Sequence, residues 1–264
     1  MDRDLPLDAD WQLRLVPLEG GVNFRDLGGY EAADGRRVKW RHIYRSGTMG
    51  RLTEADANHL AQLGIRCVVD FRSIREQRHE PNRWCQAAGV TYWSRAHREV
   101  FGHLHDMVER GIESEAQAEG VMIHGFRHLP FQQAPAYAEL LKRMADGEVP
   151  IAFNCTAGKD RTGGAAALVM AVLGVSRDAI AADFALTERA VDLRKTFGAR
   201  PNDPASPYAK LSEEVMAALS GARPAYIAAF LDAIDEECGS LQGYLERLGI
   251  TPAQTEAMRQ GLLD

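Results

Sequence analysis

Apolar positions along the chain change period several times, and each change marks an element. Thr53 with Asp56 three residues on has the form of a capping box, and Gly64 closes the helix that it opens. Ile65-Arg66-Cys67-Val68-Val69-Asp70-Phe71 follows, mostly apolar and partly β-branched, which predicts a buried strand. Tyr137, Leu140, Leu141 and Met144 share one helix face ahead of Gly147. Val149-Pro150-Ile151-Ala152-Phe153 is then a second short apolar run, leading to Cys155. Nearer the start, Val38 to Tyr44 is strand-like, and Asp26-Leu27-Gly28-Gly29 has the residues of a turn. Helices alternating with short buried strands predict an α/β fold, a parallel sheet flanked by helices.

The last third reads as helical. Ser176 caps a segment carrying Ile180, Phe184 and Val191; Tyr208, Leu211 and Val215 mark another; Pro224 opens a third with Ile227, Phe230, Leu231 and Ile234 on one face. A short helix with Leu241, Tyr244, Leu245 and Leu248 precedes a final one starting at Thr251-Pro252. Residues 176–264 are therefore expected to be a helical part packed on the core of a single domain spanning 1–264. The stretch from 95 to 131 has weak periodicity and holds His97, His103, His105, His124 and His128, which predicts an irregular or partly helical, lid-like insertion. His103-x-His105 has no acidic or cysteine partner at a metal-ligand spacing, so no metal site is expected.

Composition narrows the class. The chain has 264 residues, 45% of them hydrophobic, enough for one large domain. A balance of 31 basic against 37 acidic side chains gives −6, which disfavours a nucleic-acid binder but leaves room for a local pocket for one phosphate. Cys67, Cys85, Cys155 and Cys238 lie far apart with no C-x-x-C pair, the pattern of reduced thiols rather than of a disulfide framework or zinc site. Met1-Asp2-Arg3-Asp4 lacks a signal pattern, and no apolar run approaches the roughly 18 residues of a membrane span. A cytoplasmic protein without a transmembrane segment is expected, with export by a route lacking a signal peptide left open. Oligomeric state is not legible.

The chemistry concentrates in Asn154-Cys155-Thr156-Ala157-Gly158-Lys159-Asp160-Arg161-Thr162-Gly163, between a predicted strand and the helical run Gly164 to Met170. A strand–loop–helix turn of this length can wrap backbone N–H groups around one anion, with the helix adding its positive end. A free thiol is mostly protonated at neutral pH, but such a setting beside a guanidinium favours the nucleophilic thiolate. Cys155 is therefore the candidate nucleophile and Arg161 the planar fork that matches two phosphate oxygens, a geometry that lysine lacks. Asp160 is the candidate acid for the departing alcohol and base for water. Thr156, Ala157, Gly158, Lys159, Arg161 and Thr162 are the expected phosphate-binding positions. Gly158 eases the curve, and the Thr162 hydroxyl is expected to reach the thiolate. A Walker-type nucleotide loop fails, because Gly158-Lys159 is followed by Asp160 and the upstream glycine is missing.

Cys155 to Gly163 resembles the signature loop of the protein tyrosine phosphatase superfamily. Gly21-Val22-Asn23-Phe24-Arg25-Asp26-Leu27-Gly28-Gly29-Tyr30, Tyr44-Arg45-Ser46-Gly47 and Val69-Asp70-Phe71-Arg72-Ser73 are similar to motifs of its atypical bacterial tyrosine/lipid phosphatases. The resemblance spans roughly residues 20–165. It implies a protein-tyrosine-phosphatase-like parallel-sheet core and metal-independent, cofactor-free hydrolysis of phosphotyrosine and/or phosphoinositide through a cysteinyl-phosphate. It also implies dual-specificity behaviour, and a Lys-Asp pair, here Lys159-Asp160, whose Asp replaces a mobile acid loop. No Trp-Pro-Asp occurs in the chain. Lys159 is then expected at the pocket mouth, suited to a polyanionic headgroup, or simply solvated. Most members have His before the nucleophile where this chain has Asn154, which can order the loop but cannot carry positive charge.

Asn23, Arg25, Asp26, Arg45, Asp70 and Arg72 lie in the matching motifs. Asp70 and Arg72 end a strand where ligand-facing groups gather, so with Arg45 and Asn154 they are accessory candidates, either touching substrate or pairing to hold loops. Arg25 and Asp26 lean towards bracing the turn at Gly28-Gly29. Two other functions compete with hydrolysis. A catalytically weak or silent phosphate-binding module would ordinarily have lost Cys155, Asp160 or Arg161. A rhodanese-like persulfide carrier is disfavoured by Arg161 and Thr162 at this spacing.

Overall fold

The computed structural model describes residues 10–96, 111–192 and 211–264. His97, His103, His105, Tyr208 and the first part of the expected lid lie outside them.

Five strands form one sheet: β1 (Arg25–Asp26), β2 (Ile43–Ser46), β3 (Cys67–Asp70), β4 (Thr91–Ser94) and β5 (Ile151–Asn154), ordered β1-β2-β5-β3-β4. β2, β5, β3 and β4 run parallel, and only β1 is antiparallel. The register aligns Ser46 and Asp70 with Asn154, and Ser94 with Asp70, so all four parallel strands end at one edge. Side chains alternate between faces. Tyr44, Val68 and Ala152 pack with Leu60 and Trp84 on one side, while Ile43, Cys67, Val69, Ile151 and Phe153 join the larger core on the other.

A short α1 (Trp11–Arg14) precedes the sheet, and on its smaller side lie α2 (Glu54–Gln62) and α4 (Arg83–Ala88). Thr53 and Asp56 close the expected capping box at the start of α2. Between β3 and α4 runs α3 (Ile74–His79), opened by a second capping box, Ser73 with Glu76. The larger core is built from α5 (Glu115–Gln132), α6 (Ala134–Ala145), α7 (Asp160–Val172) and α8 (Arg177–Ala185). The short α9 (Thr187–Ala190) follows α8, and the core is completed by α10 (Glu213–Ser220), α11 (Pro224–Cys238), α12 (Leu241–Arg247) and α13 (Pro252–Leu262).

In the stretch read as an irregular or partly helical, lid-like insertion, residues 115–132 form one 18-residue helix that buries Ala118, Met122, Phe126 and Leu129 in the core. Two expectations change. The strand expected at Val38–Tyr44 begins only at Ile43, because Arg41 sits at φ +64 and turns the chain. The segment opened by Ser176 stops at Ala185 and restarts at Thr187, leaving Val191 past the end of α9. Among the described residues, no helix is long and apolar enough to cross a membrane.

Candidate functional site

β5 delivers the chain to Asn154, and α7 takes it up at Asp160. Nearly every residue of α7 from Thr162 to Val172 is buried, and small residues let it sit deep: a Cβ on Gly163 would lie 2.7 Å from the Phe184 ring, and one on Gly164 2.6 Å from Tyr137 Oη. Depth places the N-terminus of α7 at the strand-ending edge of the sheet, beside the loop from Cys155 to Lys159.

That loop is held by its carbonyls. Thr156 O accepts from Thr48 N at 2.8 Å, Ala157 O from Asn23 Nδ2 at 3.4 Å, and Gly158 O from both Asn23 Nδ2 and Arg45 Nη2 at 2.9 Å. Across a trans peptide the N–H points opposite to the C=O. With these carbonyls tied outward, the N–H groups of Ala157, Gly158 and Lys159 point into the cup. Lys159, the N-cap of α7, makes no side-chain cap, which leaves first-turn amides available to an anion. Gly158 is required here: its φ is +68, and a Cβ would lie 2.7 Å from Gly47 N.

Cys155 is buried in the loop at 2% exposure. Two further buried thiols, Cys67 and Cys85, are pushed up by burial, the largest cause, to about 11 and about 12, so they stay protonated and inert.

Arg161 is oriented by a residue that sequence reasoning missed. Glu76 accepts from its Nη1 at 2.8 Å and its Nη2 at 2.6 Å, a two-pronged pair, while Phe71 O and Thr156 Oγ1 flank the guanidinium at 3.3 and 3.4 Å. Thr156 also donates its hydroxyl to Glu76. Burial pushes the Glu76 carboxyl up, but the hydrogen bonds and charge of Arg161 outweigh it and hold the group well below the usual carboxylate range. The same pair, opposing burial, keeps Arg161 firmly protonated. The Ser73-x-x-Glu76 capping box was a signal for the start of α3, but nothing in it says which arginine the carboxylate reaches.

A second group missed from the sequence, Asp183 of α8, anchors the back of the loop. It is buried between Arg45 and Arg25, pairing with Arg45 Nη1 and lying 3.5 Å from Arg25 Nη2. Tyr30 Oη donates to it at 3.1 Å. Arg25 also donates to the side-chain oxygen of Asn23, whose φ of +53 aims its amide at the loop. Arg45 and Arg25 therefore stand behind the cup, and Asp26 braces its turn by accepting from Gly28 N and Arg41 N. Burial alone would push the Asp183 carboxyl up, but the charges of Arg45 and Arg25 hold it below its ordinary value. Asp183→Asn leaves two buried guanidiniums uncompensated and is expected to cost about 3–5 kcal/mol in denaturant unfolding. Because the folded-state value is lowered, this stabilisation is present above about pH 4, the unfolded aspartate value, and is lost as pH falls towards the folded one. The gap between wild type and Asp183→Asn should therefore narrow in acid.

The remaining candidates are placed as follows. Asp70 and Arg72 close on each other through Arg72 Nε and Nη2, with Tyr92 Oη, Thr48 Oγ1 and Glu80 O as further partners, so both are buttresses behind the edge. Asn154 is buried, its Nδ2 donating to Cys155 O at 3.3 Å. Thr162 donates to Ser46 O at 3.2 Å rather than to the thiol. Lys159 corrects both expectations for it: it is neither at the mouth nor solvated but fully buried, Nζ donating to Leu219 O at 2.8 Å and Gly221 O at 3.2 Å. The carboxyl of Asp160 sits beside it, Oδ1 3.3 Å from Nζ. Among the described residues, no cluster of three or more His, Cys, Asp or Glu side chains is placed to hold a metal ion.

Comparison with known proteins gives consistent likenesses. A family profile described as "Tyrosine phosphatase family" matches residues 16–264. An inferred tyrosine-protein phosphatase of Cupriavidus necator is 35% identical over 229 residues, covering 84% of this chain and 80% of its own. The triple specificity protein phosphatase PtpB of Mycobacterium tuberculosis is 30% identical over 93% of this chain and 98% of its own. A tyrosine-protein phosphatase of Nostoc commune is 24% identical over 81% and 72%.

Proposed function

Because the chain belongs to the tyrosine phosphatase family, matched over residues 16–264, and is a protein-tyrosine-phosphatase-like hydrolase, we propose that it hydrolyses phosphotyrosine through a cysteinyl-phosphate on Cys155. The observation that carries the reading is the outward tying of the Thr156, Ala157 and Gly158 carbonyls around Cys155, with Arg161 held at the same loop by Glu76.

The phosphate oxygens take the amides of the cup, and Arg161, its plane fixed by Glu76, meets the charge spread over the equatorial oxygens. Cys155 Sγ attacks phosphorus in line; the P–S bond forms as the P–O ester bond breaks, and Asp160 gives its proton to the departing oxygen. Water then attacks phosphorus and yields a proton to Asp160. The P–S bond breaks, releasing inorganic phosphate and the thiolate. Asp160 needs no separate loop to bring it in, since it opens the same helix as Arg161.

On substrate, the inward turn of Lys159 removes the charge that would have favoured a phosphoinositide headgroup. Phosphotyrosine is the substrate proposed. The test is steady-state hydrolysis in the presence of a chelator, with phosphotyrosyl peptide and phosphoinositide compared by kcat/KM and aryl phosphates varied in leaving group. Turnover is expected to persist, with the peptide preferred. Asp160→Asn is expected to slow phenyl phosphate about 100-fold or more and p-nitrophenyl phosphate far less. Equal slowing of both would remove Asp160 as the acid, and dependence on added metal would remove the mechanism.

A further inference from the structure

We infer that Lys159 is a positioning residue for the acid, and that the junction between α10 and α11 sets the acid's aim through it. This rests on the reading of Asp160 given above.

The backbone of Lys159 belongs to the cup, but its side chain leaves through the back. Its fully buried ammonium ends at Leu219 O and Gly221 O, carbonyls of the α10 terminus that lack a partner within the helix. An ammonium fixed by two carbonyls is a rigid point charge in a medium of low dielectric. It lies 3.3 Å from Asp160 Oδ1, an oxygen that is buried and has no hydrogen-bond partner among the described residues. The contact is electrostatic rather than a formed hydrogen bond. It orders the carboxyl: Oδ1 is drawn to the ammonium, and Oδ2 is left to exchange the proton with the substrate oxygen.

The position of the charge depends in turn on the junction. Ala222 N donates to Glu188 Oε1 at 2.8 Å, and Tyr226 Oη to Ala218 O at 2.9 Å. Glu188 of α9 thus fastens the Leu219–Ala222 turn, and a shift there moves Nζ and with it Asp160. The arrangement differs in consequence from a substrate-facing lysine. A mouth lysine governs KM for polyanionic substrates, whereas a lysine behind the acid governs kcat for substrates that need a proton.

The experiment compares Lys159→Met, Glu188→Ala and the double variant on phenyl phosphate, p-nitrophenyl phosphate and a bisphosphorylated inositol, with Asp160→Asn as reference. Lys159→Met is expected to lower kcat on phenyl phosphate about 30-fold while KM changes little, with p-nitrophenyl phosphate much less affected and no extra loss on the inositol. Glu188→Ala, outside the reacting groups, is expected to show the same leaving-group selectivity at about 5-fold, and to add nothing in the Lys159→Met background. It also carries the test if Lys159→Met does not fold. Three results overturn the inference: a KM increase confined to the inositol, equal kcat loss on both aryl esters, or full additivity of the two variants. If Asp160→Asn itself shows no leaving-group dependence, the acid reading falls and this inference with it. If Asp160→Asn shows it and neither Lys159→Met nor Glu188→Ala does, only the inference falls.

Discussion

Cys155→Ser is expected to lower turnover of p-nitrophenyl phosphate by about 10⁴-fold or more, while the protein still binds a phosphate analogue such as tungstate within a few-fold of wild type. The two halves of the result have separate causes. A serine hydroxyl ionises far less readily than a thiol, so it stays protonated where a thiolate is wanted. Anion binding depends instead on amides aimed by the Asn23, Arg45 and Thr48 contacts, which are untouched by the loss of one sulfur. Calorimetry with tungstate and a kinetic assay on the same preparation separate the two. Retained turnover in the serine variant would end the covalent mechanism. Lost binding would show that the sulfur, rather than the tied carbonyls, shapes the cup.

Arg161→Lys is expected to lower kcat about 10³-fold with the fold intact. A lysine keeps the charge but has one nitrogen. It can reach Glu76 or the phosphate, whereas the guanidinium holds two carboxylate oxygens at 2.8 and 2.6 Å and still presents a donor edge to the loop. The lysine variant should therefore also lose tungstate affinity, which distinguishes it from the serine variant at 155. Activity within 10-fold of wild type would mean that charge alone suffices and that the Glu76 pairing has no catalytic consequence.

The parts of this molecule legible in the sequence are those whose cause is local. Thr53 with Asp56, Ser176 and Thr251 announce helix starts because a cap bonds its own next turn, and each is an N-cap in the structure. The runs ending at Phe71 and Phe153 announce strands β3 and β5 because both faces are buried. β4 escaped because it is the edge strand: Thr91 and Tyr92 are exposed, and no apolar pattern marks it. The loop from Asn154 to Thr162 was readable since its members are neighbours in the chain. Its two carboxylate anchors were not. Glu76 and Asp183 meet their arginines 85 and 138 positions away, and spacing carries no trace of such a pairing. Lys159 was misread for the same reason, since what lies behind the loop, the carbonyl end of α10, comes from residues 60 and 62 positions downstream.

The arrangement behind the cup has a consequence for synthesis. Asn23, Arg25, Arg45 and Thr48 leave the ribosome before Cys155, but Asp183 leaves after it. A growing chain that has just emitted α7 therefore carries Arg25 and Arg45 without the carboxylate that pairs them in the finished fold. A chain ended before α8 is expected to leave those guanidiniums unpaired and the loop without its rear anchor.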